Sequence, residues 1–140
     1  MALSPPDAIV ALIFEEQARQ SGHFIEDVDL PAYLAKLADR AEWLSDFTAG
    51  RCRGFVAYYC NDPGSRRAFI TLVLVDPRDR GTGLGRALVT CVLQIAKQRG
   101  FTACGLEVAK SNQAAYDLYL SLGFQVVEER AHRVLLEAGL

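Results

Sequence analysis

The middle of the chain alternates between apolar runs typical of strands and apolar residues at helical spacing. Phe69 to Val75 is an apolar, β-branched run, which predicts a buried strand. From Leu84 to Ala96, apolar residues recur every three or four positions, which predicts an amphipathic helix that Gly100 ends. The same patterns predict further elements downstream: a strand Thr102–Val108, a helix Asn112–Leu122, and strands near Phe124–Glu129 and His132–Glu137.

The first part of the chain predicts two helices and a hairpin. One helix starts at Ser4 to Asp7, and its expected apolar face consists of Ile9, Val10, Ile13 and Phe14. A second helix begins after Asp29, and its expected inward side chains are Tyr33, Leu34, Leu37, Ala38 and Ala41. Strands follow near Trp43–Thr48 and Gly54–Cys60, and the turn residues 61–65 join the latter to 68–75. Residues 1–140 therefore predict a single α/β (α+β) domain with a mixed, mainly antiparallel sheet.

Composition and charge narrow the class of protein. A chain of 140 residues with 51% hydrophobic and 23% charged residues is typical of one globular domain. The formal net charge of −2 argues against nucleic-acid binding, which needs a basic surface. The sequence contains neither a signal peptide nor an apolar run of membrane-spanning length, so we expect a cytoplasmic protein without a membrane partner. The four cysteines have neither zinc nor disulfide spacing, so we expect buried, reduced thiols and no metal.

A glycine-rich segment, R-G-T-G-L-G-R from Arg80 to Arg86, lies between the predicted strand and helix. Three glycines at alternate positions permit a tight turn that leaves backbone N–H groups free at the start of the helix. Such a helix end binds phosphate, and Arg80 and Arg86 could add charge-assisted contacts. The dinucleotide fingerprint does not fit, since its third glycine would fall where the chain has Arg86, and the Gly-Lys-Ser/Thr ending of a Walker loop is absent. The segment therefore predicts a different phosphate-bearing cofactor.

Two motifs together resemble a known family. Arg80-x-x-Gly83-x-Gly85 is similar to the R/Q-x-x-G-x-G/A loop of the GNAT superfamily of acetyl-CoA-dependent N-acetyltransferases. Its members typically continue with a strand and an Asn-led helix that ends in Tyr-x-x-x-Gly-Phe, which here runs from Asn112 through Tyr119 to Phe124. The resemblance covers about residues 70 to 128. It implies a GNAT fold with six to seven strands, about four helices and splayed central strands.

The resemblance also implies how acetyl-CoA would bind as co-substrate. The backbone of Val73, Leu74 and Val75 would contact pantetheine as though it were another strand. Backbone N–H groups along the glycine-rich segment would bind the pyrophosphate: those of Gly81, Thr82, Gly83, Leu84, Gly85 and Arg86. Asn112 would cap its helix, contact the pantetheine arm, or do both.

Glu107 and Tyr119 are the candidate catalytic residues that the resemblance supplies. Glu107 interrupts an apolar strand within Leu-Glu-Val, a segment similar to that of ribosomal-protein alanine N-acetyltransferases, and would act as general base. Glu107 could instead lie on a solvated sheet face, with a water chain as the base. Tyr119 would be the general acid, since it matches the tyrosine whose hydroxyl lies near the thioester sulfur. Tyr116, three residues earlier, is its rival.

The acceptor stays open at this point. Glu26, Asp27 and Asp29 make the segment before the second helix acidic, which would suit a cationic amine or simply form a solvated loop. A small-molecule amine, an amino sugar or a peptide N-terminus fits equally well. Histidines His23 and His132 are expected to have no catalytic role. The alternatives are a catalytically silent acetyl-CoA-binding sensor or assembly module and an enzyme acting on aminoacyl-tRNA; we expect a monomer or homodimer.

Overall fold

A computed structural model describes residues 7–21, 24–25 and 29–140 of the chain. The helices of this part are α1 (Asp7–Arg19), α2 (Leu30–Arg40), α3 (Leu84–Gln98) and α4 (Gln113–Ser121), with a short 3₁₀ turn at Pro77–Asp79. The strands are β1 (Glu42–Thr48), β2 (Arg51–Tyr59), β3 (Arg67–Val75), β4 (Ala103–Ala109), β5 (Gln125–Glu129) and β6 (Arg133–Gly139). None of these helices is both long and apolar enough to cross a membrane.

The six strands form one sheet in the order β1-β2-β3-β4-β6-β5. Every neighbouring pair is antiparallel except β3 and β4, which are parallel and are joined through α3. The mixed, mainly antiparallel sheet and the four described helices confirm the predicted fold class, with six strands rather than seven. The edge strand β5 is exposed along its whole length.

Each face of the sheet buries its own apolar cluster. Helices α3 and α4 pack on one face through side chains such as Val89 and Tyr119, and α1 and α2 pack on the other through Ile9 and Leu37. Strand β2 contributes to both clusters, since Val56 faces α3 and Phe55 faces α1 and α2. This two-sided burial follows from the near-continuous apolar runs of the central strands.

Two sequence predictions about burial are wrong. Phe14 was expected on the inner face of α1 but is 46% exposed, because the buried stripe runs through Ile9, Ile13 and Glu16 instead. Cys91 was expected to be buried but lies on the exposed side of α3, whereas the other three cysteines are buried. All four cysteines are free thiols.

The parallel pair separates partway along its length, as the resemblance implied. Pairing between β3 and β4 runs from Arg67 opposite Ala103 to Ile70 opposite Leu106, although both strands continue further. The separation begins at a bulge, since Thr71 is an extra residue of β3 relative to β2. The bulge also switches the faces of the strand. Ile70 belongs to the cluster under α3 and α4, whereas Leu72 belongs to the cluster under α1 and α2.

Candidate active site

The separating strands open a cleft of about 1010 Å³. Its walls include the second half of β3, the second half of β4, the start of α3 and one side of α4. The glycine-rich segment Arg80–Arg86 contributes to the same cleft, so the two motifs that are far apart in the sequence meet there. The cleft extends to the end of α1 and to α2, where Gln20, Phe24 and Tyr33 line it.

The backbone of β3 faces the cleft at alternate residues. The N–H of Asp76 donates to the carbonyl of Arg53 on β2 at 2.8 Å, so hydrogen bonding alternates from there back along the strand. The polar groups of Leu74 therefore point toward β2, and those of Val73 and Val75 point toward the cleft. The carbonyl of Val75 already accepts from Arg80 Nε at 3.1 Å. An extended ligand in the cleft could therefore reach the N–H groups of Val73 and Val75 and the carbonyl of Val73.

Two aspartates fix the 3₁₀ turn that leads into the glycine-rich segment. The Asp76 carboxylate accepts from the side chain and the backbone N–H of Arg78, and these bonds, with the charge of Arg51, hold its pKa far below the ordinary value despite burial. Asp79 accepts from Arg51 Nη1 at 2.7 Å and from Arg53 Nε at 3.2 Å, so the pKa of Asp79 is also lowered. This network holds the turn at the end of β3.

The glycine-rich segment exposes backbone donors at the start of α3. Gly81 and Gly83 have φ angles of 79° and 84°, a region in which a side chain is strained. Gly83 is the N-cap residue of α3, and its carbonyl accepts the first helical bond, from the N–H of Ala87. The N–H groups of Leu84, Gly85 and Arg86 precede that bond, so they have no helical acceptor and point out of the helix end. This arrangement can bind an anion.

The polar side chains of this segment contact the protein itself. Arg80 donates to Val75 and to Glu16, and Arg86 Nη2 donates to Ser121 Oγ at 2.8 Å. Thr82 Oγ1 donates to the carbonyl of Asp79 at 2.6 Å. The backbone N–H groups, rather than the two arginines, are therefore the donors that stand free for a phosphate.

Tyr119 is a buried phenol at the wall of the cleft. It is 7% exposed, and its ring packs against Phe124 with 5.8 Å between centroids. Burial raises the pKa of Tyr119 to about 12. Its phenol oxygen has no hydrogen-bond partner among the described residues, so it is a protonated donor available to a ligand. Tyr116 packs against the apolar cluster and is not among the described residues that line the cleft.

Asn112 is the N-cap residue of α4, two helical turns before Tyr119. Its Oδ1 accepts from the N–H of Ala115 at 3.2 Å, so the predicted helix cap is confirmed. The side chain also lines the cleft, and its amide nitrogen remains a potential donor toward a ligand.

Glu107 lines the cleft from β4, with its side chain 28% exposed. Its carboxylate is hydrogen-bonded to Arg130, which lies in the connection between β5 and β6 and also donates to Glu128 at 3.1 Å. The sequence pattern indicated a carboxylate at the cleft but not its guanidinium partner. The hydrogen bond to Glu128 and the negative charges of Glu107 and Glu128 raise the already high pKa of Arg130, so this guanidinium stays charged beside its carboxylates.

The wall formed by α1 and α2 contains cleft residues that the sequence patterns did not indicate. Tyr33 and Thr71 share a hydrogen bond of 3.0 Å across it. Glu16 lines it as a buried carboxylate, and its position on the apolar stripe of α1, seven residues after Ile9, is the signal that could have identified it. Asp29 is the N-cap residue of α2, without a side-chain cap, and is not among the described residues lining the cleft.

Four residues with a predicted role, Ser4, His23, Glu26 and Asp27, lie outside the described residues. In the described part of the chain, no group of three or more His, Cys, Asp or Glu side chains could hold a metal ion.

Comparisons with known proteins identify a family to which the chain is similar. Residues 10–124 match the model of the acetyltransferase (GNAT) family. The chain is 33% identical over 114 residues to the [ribosomal protein bS18]-alanine N-acetyltransferase of Escherichia coli (strain K12), covering 71% of this chain and 77% of that protein. It is 41% identical over 71 residues to N-acetyltransferase 8F1 of Rattus norvegicus, covering 49% of this chain. Four curated relatives, the rat protein among them, are matched over only 19 to 44% of their own length.

A solved structure shares the whole fold. The PaiA N-acetyltransferase of Thermoplasma acidophilum, determined in complex with coenzyme A, superposes with a TM-score of 0.74 over 96% of this chain and 92% of its own. At 16% identity, this likeness speaks for the fold alone.

Proposed function

The chain belongs to the acetyltransferase (GNAT) family, and we propose that it is an N-acetyltransferase that transfers the acetyl group of acetyl-CoA to a primary amine. The observation that carries this proposal is the cleft between β3 and β4. A helix N-terminus with free donors, a protonated buried phenol and a carboxylate all line it. Acetyl-CoA, when bound, supplies an activated thioester. The residues of this chain would bind acetyl-CoA, position the amine, and accept and donate protons during the transfer.

The glycine-rich segment would bind the pyrophosphate through its free backbone N–H groups. A Cβ atom at Gly85 would lie 3.7 Å from both Leu118 and Val75, which is ordinary contact, so packing within the protein does not require a glycine there. Close approach of a ligand to the backbone would explain it. The free N–H groups and the helix dipole favour negative charge by about 0.3–1 kcal/mol or more. Val73 and Val75 would pair with the pantetheine arm, and Asn112 would donate to it.

Tyr119 would stabilise the leaving thiolate. Its raised pKa keeps the phenol protonated throughout the physiological range, and the residue lines the cleft. Tyr116 has the same chemistry but does not line the described cleft, which supports Tyr119 over its rival. A positioned acid of this kind is typically worth about 10²- to 10⁴-fold in rate.

The amine must lose a proton before or as it attacks. A lysine-like amine with a pKa of about 10.4 is neutral in roughly one molecule in a thousand near pH 7, a deficit of about 4 kcal/mol; an α-amine near 8 costs only about 1. Glu107 is the proposed proton acceptor, directly or through water. Arg130 holds this carboxylate in one orientation, so acceptance of a proton would weaken a close ion pair. We therefore propose that Glu107 orients the amine or its water as well as accepting charge.

The acceptor would enter from the α1–α2 side of the cleft, because the loop and the β3 edge occupy the cofactor side. Phe24 and Tyr33 offer aromatic surface there, and Thr71 offers a hydroxyl. A small amine, an amino sugar or a peptide N-terminus all fit these groups. The E. coli relative is named for acetylation of an alanine, which makes peptide N-termini the first class to test.

The test is release of free coenzyme A from acetyl-CoA across a panel of acceptors: N-terminal peptides, lysine peptides, polyamines and amino sugars. Free coenzyme A is detected through its thiol with a thiol-specific reagent. The exposed Cys91 thiol would react with the same reagent, so the assay uses the Cys91→Ser variant. Turnover on one class that is lost in Tyr119→Phe would support the proposal. Calorimetric binding of acetyl-CoA with no turnover on any amine would favour the silent sensor, and absence of binding would contradict both.

A further inference from the structure

Glu16 is a buried carboxylate in the cleft wall for which the proposed reaction has no use. Its side chain is 4% exposed, yet it accepts hydrogen bonds from three side chains. Arg19 at the end of the same helix donates to it, Gln20 just beyond the helix donates at 2.6 Å, and Arg80 donates at 3.1 Å. Burial opposes its charge, but the hydrogen bond from Gln20 and the charges of Arg80 and Arg19 outweigh burial, so the pKa of Glu16 is lowered and the carboxylate is ionised.

Arg80 connects three parts of the fold through one planar group. It lies 64 residues from Glu16 in sequence and immediately before Gly81. One edge of its guanidinium donates to Glu16 on α1, and its Nε donates to the carbonyl of Val75 at the end of β3. Since the guanidinium is rigid and flat, two contacts in different directions fix its orientation and restrict the backbone to which it is attached.

The glycine-rich segment has few other anchors. At Gly81 and Gly83, a Cβ atom would meet no protein atom within 4 Å, so no neighbouring element packs against the loop at these points. Glycines at positive φ add conformational freedom that binding must remove. Apart from the bond between Thr82 and Asp79, the Arg80 side chain is the described contact that ties the start of this segment to the rest of the protein.

We propose that Glu16 is a positioning residue that acts through Arg80 to hold the glycine-rich segment in its phosphate-binding conformation. The inference rests on the proposed function, since it concerns the same cofactor site. It also assigns Arg80 a task other than phosphate contact: the arginine joins helix α1, which lines the acceptor side of the cleft, to the segment that lines the cofactor side. Ordering the segment before the ligand arrives lowers the entropy cost of binding.

The direction in which Glu16→Gln changes the affinity for coenzyme A distinguishes this positioning role from a simple charge effect. Coenzyme A is a polyanion, so removal of a nearby negative charge in Glu16→Gln should tighten its binding if only charge matters. If Glu16 positions the segment, the same change should weaken binding, by about 5-fold for the loss of a partly buried ion pair. Glu15→Gln is the matched control, because it removes the same charge from the exposed neighbouring position of α1.

The experiment measures the dissociation constant of free coenzyme A by calorimetry for the wild type, for the control Glu15→Gln, and for Glu16→Gln, Arg80→Gln and their double variant. We expect both single variants to bind about 5-fold more weakly, and the double variant no more than about 2-fold more weakly than the worse single variant, because the two residues act as one unit. Exchange of the Ala87 N–H, which is bonded to the Gly83 carbonyl, should become faster in both single variants, while exchange in the sheet stays unchanged. That pattern distinguishes local positioning from general destabilisation.

Tighter or unchanged binding in Glu16→Gln would overturn the inference, as would strictly additive losses. Arg80 is half-exposed, so Arg80→Gln tests the link even if the buried substitution unfolds the protein: unchanged hydrogen exchange of the Ala87 N–H in that variant would refute it. If the wild type bound no coenzyme A, the proposed function would fail together with the inference. Wild-type binding with unaffected variants would leave the proposed function standing and remove the inference alone.

Discussion

Substitution of Tyr119 by phenylalanine removes a single oxygen from the wall of the cleft. The ring keeps its contact with Phe124 and its burial, so the apolar cluster is preserved. Since the phenol oxygen has no hydrogen-bond partner among the described residues, its removal leaves no protein donor or acceptor unsatisfied. We therefore expect the free energy of unfolding to change by less than about 1 kcal/mol. Any large change in turnover would then report on chemistry.

The expected loss follows from the acidity of the two groups. An ordinary thiol has a pKa of about 8.5, whereas that of Tyr119 is raised to about 12. Full transfer of the phenol proton to the leaving thiolate would be uphill by about 5 kcal/mol. Tyr119 would therefore act mainly as a hydrogen-bond donor to the charge that develops on sulfur. Loss of one such positioned donor typically costs about 10²- to 10³-fold, or 2.7 to 4 kcal/mol in the barrier.

The assay is steady-state release of coenzyme A, with calorimetry for cofactor affinity. Tyr119→Phe should lower kcat by about 100-fold while the dissociation constant of coenzyme A changes by less than about 2-fold. Tyr116→Phe is the matched control on the same helix and should retain wild-type kcat. Wild-type turnover in Tyr119→Phe would refute the assignment, and a loss confined to Tyr116→Phe would transfer it to the rival.

The pH dependence gives a second check on the same group. Since the phenol is needed in its protonated form, activity is retained at lower pH and lost only as the pH rises through the raised pKa. At pH 9 an ordinary tyrosine is about 10% ionised, but one with a pKa of about 12 is only about 0.1% ionised. No fall in kcat from this residue should therefore occur below about pH 11. A fall in kcat near pH 10 that is absent in Tyr119→Phe would contradict the conclusion that burial raises the pKa of Tyr119.

Substitutions at three further positions test the cofactor loop and the fold. Gly85→Glu should weaken coenzyme A binding by at least about 100-fold, because its carboxylate would repel the phosphates at the helix N-terminus. Gly85→Ala should bind coenzyme A within a few fold of the wild type, because its Cβ fits beside its neighbours. Equal affinities of the two variants in calorimetry would contradict the assignment of the loop. Asp76→Asn should destabilise the protein by about 2 kcal/mol at pH 7. Since the pKa of Asp76 is lowered, its contribution is present above about pH 4 and lost as the pH falls, so urea unfolding of the variant should depend less on pH below 4. Trp43→Phe should have a free energy of unfolding within about 1 kcal/mol of the wild type, because it removes a buried Nε1–H that lacks a partner in the described part of the chain. A loss above about 2 kcal/mol in urea unfolding would show that packing of the indole ring contributes more than the unpaired donor costs.

Local patterns in the sequence predicted the elements well, because each depends on neighbouring residues. The apolar run of β3 and the periodic residues of α3 lie where the pattern indicated. Phe14 shows the limit of such reasoning: an apolar residue at nearly the right spacing was assigned to the inner face that Glu16 in fact occupies. Periodicity places residues on faces by type, and it misplaces a buried charge whose partners lie elsewhere in the chain.

The bulge at Thr71 is the feature of the fold that no local pattern revealed. The run from Phe69 to Val75 is apolar at nearly every position, so a switch of faces within it leaves no trace in hydropathy. The resemblance to a family with splayed strands supplied the separation, but not the residue at which it starts. Only the register against β2 identifies that residue.

The partners of the cleft carboxylates were equally invisible to sequence reasoning, and they change the chemistry. Glu107 was considered as an isolated base, yet Arg130 binds it from a connection 23 residues later. Glu16 is bound by Arg80 in the same way. A carboxylate beside the site of a polyanionic co-substrate repels it unless a cation is nearby, and an arginine provides that compensation together with a fixed geometry. The carboxylates of this cleft must therefore be understood as guanidinium–carboxylate pairs, and a substitution of Glu107 or Glu16 tests its arginine as much as the acid itself.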